Sequence, residues 1–420
     1  MRLIADLHIH SGYSRATSKE MNLPTIARWA RLKGIDVVGT GDFTHPAHFA
    51  SIKELLEPSA PGLFRLRKEA KDARPVHFML TAEVSSIWTQ GGRTRKVHTL
   101  VFAPDMKTVE RINKTLASIG NIASDGRPIL GLSAYELAGI VFDASAEAMV
   151  VPAHAWTPWF SIFGSKSGFD SIEECFGDLS RHIFAIETGL SSNPAMNRRL
   201  SSLDRITLIS NSDAHSPAKL GREANVFDAN LDYYEIRRIM KERDTKHFPY
   251  TIEFYPEEGK YHCDGHRECG VLFTPQETKR AKGVCPVCGR GVTVGVLSRV
   301  EALADRPENY IAPDAPPTVH LVPLEEILAQ AFECGVNTKK VKHEYERLIA
   351  EGGSEFDILL WKTDDELSSL AGKRIAEGIL RARNGNISIV PGFDGEFGKI
   401  NIYGRTEAPH PARPVQGSLL

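Results

Sequence analysis

The sequence predicts an α/β protein, either a β/α barrel or an open sheet, followed by a small metal-binding module and a helical C-terminal region. Three observations predict it. Residues 1 to about 245 alternate short apolar strands with helical segments, as α/β layer structures do. From Tyr250 to about Asp305 the alternation breaks, and four of the six cysteines fall between positions 263 and 288. Beyond a Pro-rich stretch at 312–317 come three helical patterns. At 420 residues the chain exceeds one ordinary small domain. The expected units are a barrel domain over 1–245, a zinc-binding module over 246–310, a helical region over 318–405 and a tail over 406–420.

The strands read, in order, as 3–9, 35–40, 76–82, 96–102, 148–153, 183–186 and 206–210. A helix over 24–33 starts at Pro24 and stops at Gly34. The third and fourth strands are joined through Gln90-Gly91-Gly92, which suits a hairpin better than a crossover. The C-terminal helices fall near 324–334, 339–350 and 364–383, and Thr363 with Glu366 has capping-box spacing. A hairpin of 387–390 with 399–403 follows, and the last residues, rich in proline, read as a loose tail.

Composition is that of an ordinary soluble protein, 42% hydrophobic and 25% charged. No apolar run reaches the ~18 residues of a membrane span, and Met1–Asp6 turns polar at once, unlike a signal peptide. A cytoplasmic, non-membrane protein is expected. A net charge of −2 excludes a protein that coats nucleic acid by global charge, while leaving room for a local basic face.

The chemistry begins at Asp6-Leu7-His8-Ile9-His10. On a strand, alternate side chains share a face, so His8 and His10 point together. The second strand ends in Asp42-Phe43-Thr44-His45, the third at Glu83; the fourth contains His98; the fifth and sixth end at His154 and Glu187; the seventh runs into Asp213-Ala214-His215. Each of these residues has an ordinary structural explanation taken singly. Together they place a metal-ligand type at or near the C-terminal end of every strand, where β/α barrels gather catalytic groups. Phosphodiester hydrolysis needs a nucleophile at neutral pH and neutralised phosphoryl oxygens, and divalent ions supply both. Glu83 is the candidate bridge between two ions. Mixed imidazole and carboxylate ligands suit zinc, manganese or iron better than calcium or an all-oxygen magnesium cage.

Among the cysteines, Cys285-Pro-Val-Cys288-Gly289 is a zinc-knuckle turn. The other pair is read as His266 with Cys269. Cys263 is the alternative, since it has the same spacing to His266. The result is one structural zinc. Cys175 and Cys334 stand alone.

The His8-Ile9-His10-Ser11 motif, the Asp42 loop, Glu83, His98, His154 and Ser212-Asp213-Ala214-His215 resemble the PHP (polymerase and histidinol phosphatase) superfamily. That resemblance implies a distorted seven-stranded β/α barrel with two or three divalent ions (Zn, Mn or Mg). His8, His10, Glu83 and Asp213 would hold one ion, and Glu83, His98 and His154 a second. His215 would serve a third; there Ser14-Arg15 and Phe43 depart from the pattern, and Asp42 or His45 would substitute. Asp213, Glu83 and His10 are the expected catalytic residues. Further stretches, Ala16–Asn22, Gly39–Pro46, Gly265-His266-Arg267, Cys285–Gly289 and Gly372–Gly378, resemble the endonuclease Q family within that superfamily. This implies a DNA repair nuclease that nicks double-stranded DNA 5′ of a deaminated base (uracil, hypoxanthine, xanthine) or an abasic site by metal-activated water attack. Its partner would be damaged duplex DNA; repair or replication-clamp partners are left unspecified. No phosphate loop for ATP is present. The competing readings are a histidinol-phosphatase-like small-molecule phosphoesterase and a non-catalytic DNA-binding scaffold. For DNA contact the expected residues are Lys373, Arg374, Arg381 and Arg383, with Lys339, Lys340, Lys342 and Arg347 on the preceding helix. Tyr13, Phe43, Trp156 and Trp159 are candidates to wall a pocket for an extruded base.

Overall fold

The computed structural model describes residues 1–69 and 74–404; the tail expected at 406–420 lies outside them. Its strands are β1 (Arg2–Asp6), β2 (Val37–Gly39), β3 (Leu56–Ala60), β4 (Leu63–Leu66), β5 (His77–Gln90), β6 (Arg93–Ala103), β7 (Ile129–Leu130), β8 (Met149–Pro152), β9 (Ala185–Glu187), β10 (Thr207–Ile209), β11 (Ala224–Asp228), β12 (Tyr250–Glu253), β13 (Asp264–His266), β14 (Val271–Phe273), β15 (Thr318–His320), β16 (Ser388–Val390) and β17 (Lys399–Asn401). All seven expected strands are present, as β1, β2, β5, β6, β8, β9 and β10.

The main sheet is mixed. Its path runs β15-β12-β11-β1-β2-β5-β4-β3, and β5 also pairs β6, which pairs β8. β1 is parallel to β2 and antiparallel to β11. β9 and β10 form a separate parallel pair. Single hydrogen bonds continue past it on both sides, from Ala155 N–H to Glu187 O at 2.9 Å and from Ser210 N–H to Asn225 Oδ1 at 2.9 Å. Both faces of the central strands are buried, as strands covered on two sides require. Leu3 and Ala5 pack with Val37, Met79 and Leu100, whereas Ile4 joins Val38, Phe78 and Leu80.

Two expectations need correction. β5 does not end at Glu83. It runs on to Gln90, and Gly91 and Gly92, with φ of 58° and 71°, make a two-residue turn into β6. Positive φ at both central residues is what such hairpin turns demand. Glu83 and His98 therefore sit in mid-ladder, and His98 reaches the ligand layer on a strand antiparallel to its neighbour. The last long helix is also not continuous: the span Asp364–Arg383, opened by the Thr363/Glu366 capping box, is interrupted at Gly372 (φ 75°).

The C-terminal helices Leu324–Ala331 and Lys339–Gly352 dock on the first helix, Leu23–Lys33. At that contact Lys33 Nζ lies 2.6 Å from Glu355 Oε2, with side chains 3% and 5% exposed. Tyr345 O–H donates to the same carboxylate at 2.8 Å and Leu324 N–H at 3.1 Å. The cysteine-bearing segment is tied to the barrel side by Arg299, which donates to Phe163 O and Phe169 O at 2.8 and 2.9 Å. No helix among the described residues is long and apolar enough to cross a membrane.

Candidate metal centre

β1 delivers His8 and His10 just past its end, where the backbone bridges to Ala214 and His10 N–H donates to Ala214 O at 3.0 Å. Each ring is fixed from behind. His8 Nδ1 donates to Glu187 and His10 Nδ1 to Asp42, both at 3.0 Å. Such carboxylate partners fix the tautomer that leaves Nε2 free to ligate. The two Nε2 atoms converge on Glu83 Oε2 and Asp213 Oδ1. His10 Nε2 is 3.2 and 3.1 Å from these oxygens, and His8 Nε2 is 3.6 and 3.5 Å away. His8 Nε2, His10 Nε2 and Asp213 Oδ1 are buried without a hydrogen-bond partner. Orphaned buried polar atoms demand an explanation, and a cation is one that fits: four ligands about 2.0–2.2 Å from one ion stand about 3.3 Å apart.

The other oxygen of Glu83 belongs to a second group. Oε1 lies 2.9 Å from His98 Nδ1 and 3.0 Å from His154 Nε2. Glu83 thus divides its two oxygens between the groups, His8-His10-Glu83-Asp213 and Glu83-His98-His154. Asp42, Glu83, Glu187 and Asp213 surround the rings with negative charge. Burial disfavours charged rings, yet Glu187, Asp213 and Glu83 hold His8 well above its ordinary pKa. Asp42, Asp213 and Glu83 do the same for His10. The field that draws protons there also favours divalent cations. His98 differs: burial pushes it down to about 4, against the pull of Glu83, so its ring is neutral and able to ligate.

The backbone supports this geometry at some cost. Asp42, His154 and Asp213 have φ of 45°, 29° and 47°. Non-glycine residues in that region are uncommon and gather at functional sites.

Several expected site residues lie outside the two groups. Asp42 lies outside both groups: its carboxylate accepts from His10, from Ser11 N–H at 2.6 Å and from the Ser14 hydroxyl at 2.9 Å. Burial would raise its pKa, but His10 and these bonds hold it well below the usual range. His45 is turned away, stacked on Tyr13 at 4.4 Å with Nε2 3.2 Å from Ala123 O. His215 sits beside the centre, its ring 4.5 Å from His10 and its Nδ1 2.9 Å from Asp213 O. Around His215, Asp42 and His45 no further group of donors assembles among the described residues. Phe43 and Trp156 are fully buried core, Trp156 donating to Asn197 Oδ1 at 2.7 Å, whereas Tyr13 and Trp159 are exposed.

The basic residues of the C-terminal region are largely engaged internally. Arg374 and Arg381 share a face, but it turns toward the chain end. Arg374 donates to Ala331 O, pairs with Glu333 and stacks 4.7 Å over Tyr403, while Arg381 donates to Gly404 O. Arg383 donates to Ile358, Leu359 and Lys362 carbonyls. Arg347 is paired with Glu344 and Glu351. Lys373 remains exposed and, among the described residues, unpaired.

Sequence reasoning missed Arg127. Its Nη1 lies 2.9 Å from Glu83 Oε2, which makes it a half-buried cation at the site. Gly126 lets the loop press against Asp42 and Ser14, where a Cβ would collide. A lone arginine in a loop has no spacing to betray it.

In the cysteine-bearing segment, His266, Cys269, Cys285 and Cys288 bring four donor atoms within 4.8 Å of one another. Cys288 Sγ is 3.6 Å from His266 Nδ1, close to the edge of a tetrahedron with Zn–S of about 2.3 Å. Burial raises the Cys285 thiol, but the Cys288 and Val287 N–H groups bring it down to about 7, poised for thiolate. The alternative, Cys263, is outside the group; burial pushes its thiol up to about 12.

Residues 323–386 match the family model described as the MJ0043 C-terminal domain. The chain is 30% identical to the uncharacterized protein YqxK of Bacillus subtilis, over 95% of this chain and 99% of that one. It is also 34% identical to the uncharacterized protein MJ0043 of Methanocaldococcus jannaschii over 59% of its own length, but spans only 31% of that relative. Two solved structures are similar over 97% of the chain, both at 34% identity. One is the lesion-specific endonuclease PfuEndoQ of Pyrococcus furiosus, with a TM-score of 0.84 and 96% of that chain covered. The other is endonuclease Q in complex with a 27-mer duplex bearing an abasic lesion at the active site, with a TM-score of 0.83 and 97% covered.

Proposed function

Because this chain belongs to the endonuclease Q family, we propose that it is a metal-dependent DNA repair endonuclease. It nicks duplex DNA on the 5′ side of a deaminated base (uracil, hypoxanthine or xanthine) or of an abasic site. The observation that carries the reading is the division of Glu83 between two imidazole groups, in the first of which the inward nitrogens of His8 and His10 are buried without a hydrogen-bond partner.

Strands β1, β2, β5, β6, β8, β9 and β10 are read as the distorted seven-stranded barrel of the PHP superfamily, over 1–245. A zinc module over 246–310 and a helical region over 318–405 flank the site. His8, His10, Glu83 and Asp213 would hold one zinc, manganese or magnesium ion, and Glu83, His98 and His154 a second. His266, Cys269, Cys285 and Cys288 would hold a structural zinc. When bound, the two site ions supply the charge that neutralises phosphoryl oxygens and lower the pKa of the attacking water. The chain's own residues do the rest. Glu187 and Asp42 orient the rings of His8 and His10. Arg127 places a fixed positive charge beside Glu83, where it can attract a phosphate. Asp213, 24% exposed while its partners are buried, stands at the mouth of the site. His215 is placed to serve the same mouth. The expected compartment is the cytoplasm.

The test is a labelled duplex with one deaminated base, incubated with manganese or magnesium and sized for a nick on the 5′ side. The same preparation is assayed on a small phosphomonoester. Turnover of the monoester without cutting of the duplex would replace this reading with a small-molecule phosphatase.

A further inference from the structure

Beside the centre, the loop after β8 carries two aromatic residues with different fates. Phe160, in the left-handed region at φ 60°, packs on the His98 ring at 4.7 Å and accepts the His98 N–H at 3.0 Å. Trp159, its neighbour, is 40% exposed. Its carbonyl is held by the Thr157 hydroxyl at 2.9 Å, and that hydroxyl also contacts His154 Nδ1 at 3.2 Å. A bulky residue with positive φ is strained. Here the strain keeps Phe160 on a ligand and sends the next side chain out to the rim.

Trp159 does not stand alone. Tyr261, from the start of the cysteine-bearing segment, meets it edge-on at 5.3 Å and 71°. Lys260 and Arg267 flank Tyr261, both exposed and neither paired with a carboxylate among the described residues. Lys260 lies 4.4 Å over Phe397, itself 68% exposed. The nearby Asp394 is occupied, accepting from Thr293 Oγ1 at 2.6 Å and from the Arg267 backbone N–H at 2.7 Å. An exposed ring, a half-buried ring and two cations without a carboxylate partner among the described residues thus lie where the loop after β8 meets the cysteine-bearing segment.

We propose that Trp159 and Tyr261, with Lys260 and Arg267, form a ledge that takes an unstacked nucleotide of the DNA strand next to the cut. Bases stack on aromatic faces whatever their identity, and cations beside such faces take the phosphates. Freeing a base from a duplex costs stacking; a ledge two residues from a ligand-bearing turn returns that contact at the right place. The proposal rests on the nuclease reading.

The experiment uses the full chain in an Asp213→Asn background, with matched duplexes that differ only in one lesion. Trp159→Ala should weaken binding to the lesion duplex by between about five-fold and about a hundred-fold, the range for one lost base–aromatic stack. Trp159→Phe should restore most of it, and binding to undamaged duplex should change little. Lys260→Gln with Arg267→Gln should lower the salt slope on both duplexes by about 2. Iodouracil placed beside the lesion should crosslink to Trp159 or Tyr261. Crosslinks elsewhere, or a Trp159→Ala variant that binds the lesion duplex as tightly as its parent, overturn the ledge. A parent with no preference for the lesion, together with native protein that cuts neither duplex, overturns the nuclease reading instead.

Discussion

Replacing Lys33 by methionine removes one half of the buried ion pair that fastens the C-terminal helices to the first helix. The pair is 2.6 Å apart, with side chains 3% and 5% exposed. Removing one partner of such a pair costs about 3–5 kcal/mol, because the other charge stays buried. Glu355 would keep the Tyr345 hydroxyl and the Leu324 N–H, which places the loss near the lower end, about 3 kcal/mol. Glu355→Gln strands Lys33 and should cost about the same. The double variant strands neither charge, so it should lose less than either single variant, a coupling of more than about 3 kcal/mol. Urea unfolding gives the energies. Amide exchange over Leu324–Ala331 and Lys339–Gly352 shows whether the loss falls at this contact. A Lys33→Met loss within about 0.5 kcal/mol, or a double variant equal to the sum of the singles, would refute the reasoning.

Four other outcomes are expected. Asp213→Asn should abolish cleavage and leave duplex binding in place; near wild-type cutting would remove it from the centre. Asp42→Asn should lower metal affinity or activity by about 10–100-fold, as loss of a ligand-orienting partner does, with the same number of ions bound at saturation; a lost ion at saturating metal would make Asp42 a ligand. Cys285→Ser should release one zinc equivalent and loosen residues 250–305, whereas Cys263→Ser should keep the zinc, both read by elemental analysis. Arg374→Gln with Arg381→Gln should leave the salt slope of DNA binding unchanged and reduce stability, since both guanidinia serve the chain's own carbonyls; a slope lower by about 2 would restore them to the DNA path.

The convergence of these donors was legible because metal chemistry constrains residue type and strands constrain position. His8 and His10 on one face, Glu83, His98, His154 and Asp213 each near a strand could be read without coordinates. The roles of Asp42 and Glu187 were not, because a carboxylate behind a ring and one at a metal look alike in sequence. The choice of Cys269 over Cys263 depended on which side chain the β13–β14 turn presents. β7, two residues long, carries too few residues to show a period. The internal bonds of the C-terminal arginines were not legible for a general reason: a helix face rich in charge has the same spacing whether it meets solvent, DNA or a neighbouring carbonyl.

The two donor groups differ in how far along the chain they reach. Glu83 and His98 lie on one hairpin, nearly opposite each other across a ladder closed by two glycines, and such local pairing forms early. His8 and Asp213 are brought together only when the first strand meets the segment after β10, a closure with a long entropic loop. During synthesis the hairpin is therefore complete well before Asp213 has left the ribosome. A chain truncated anywhere before Asp213 has the bridge carboxylate without the residues that complete its first ion site. A broken message or a stalled ribosome would release fragments that lack a finished cutting centre, and the distance in sequence between its first and last ligands acts as a check on completeness.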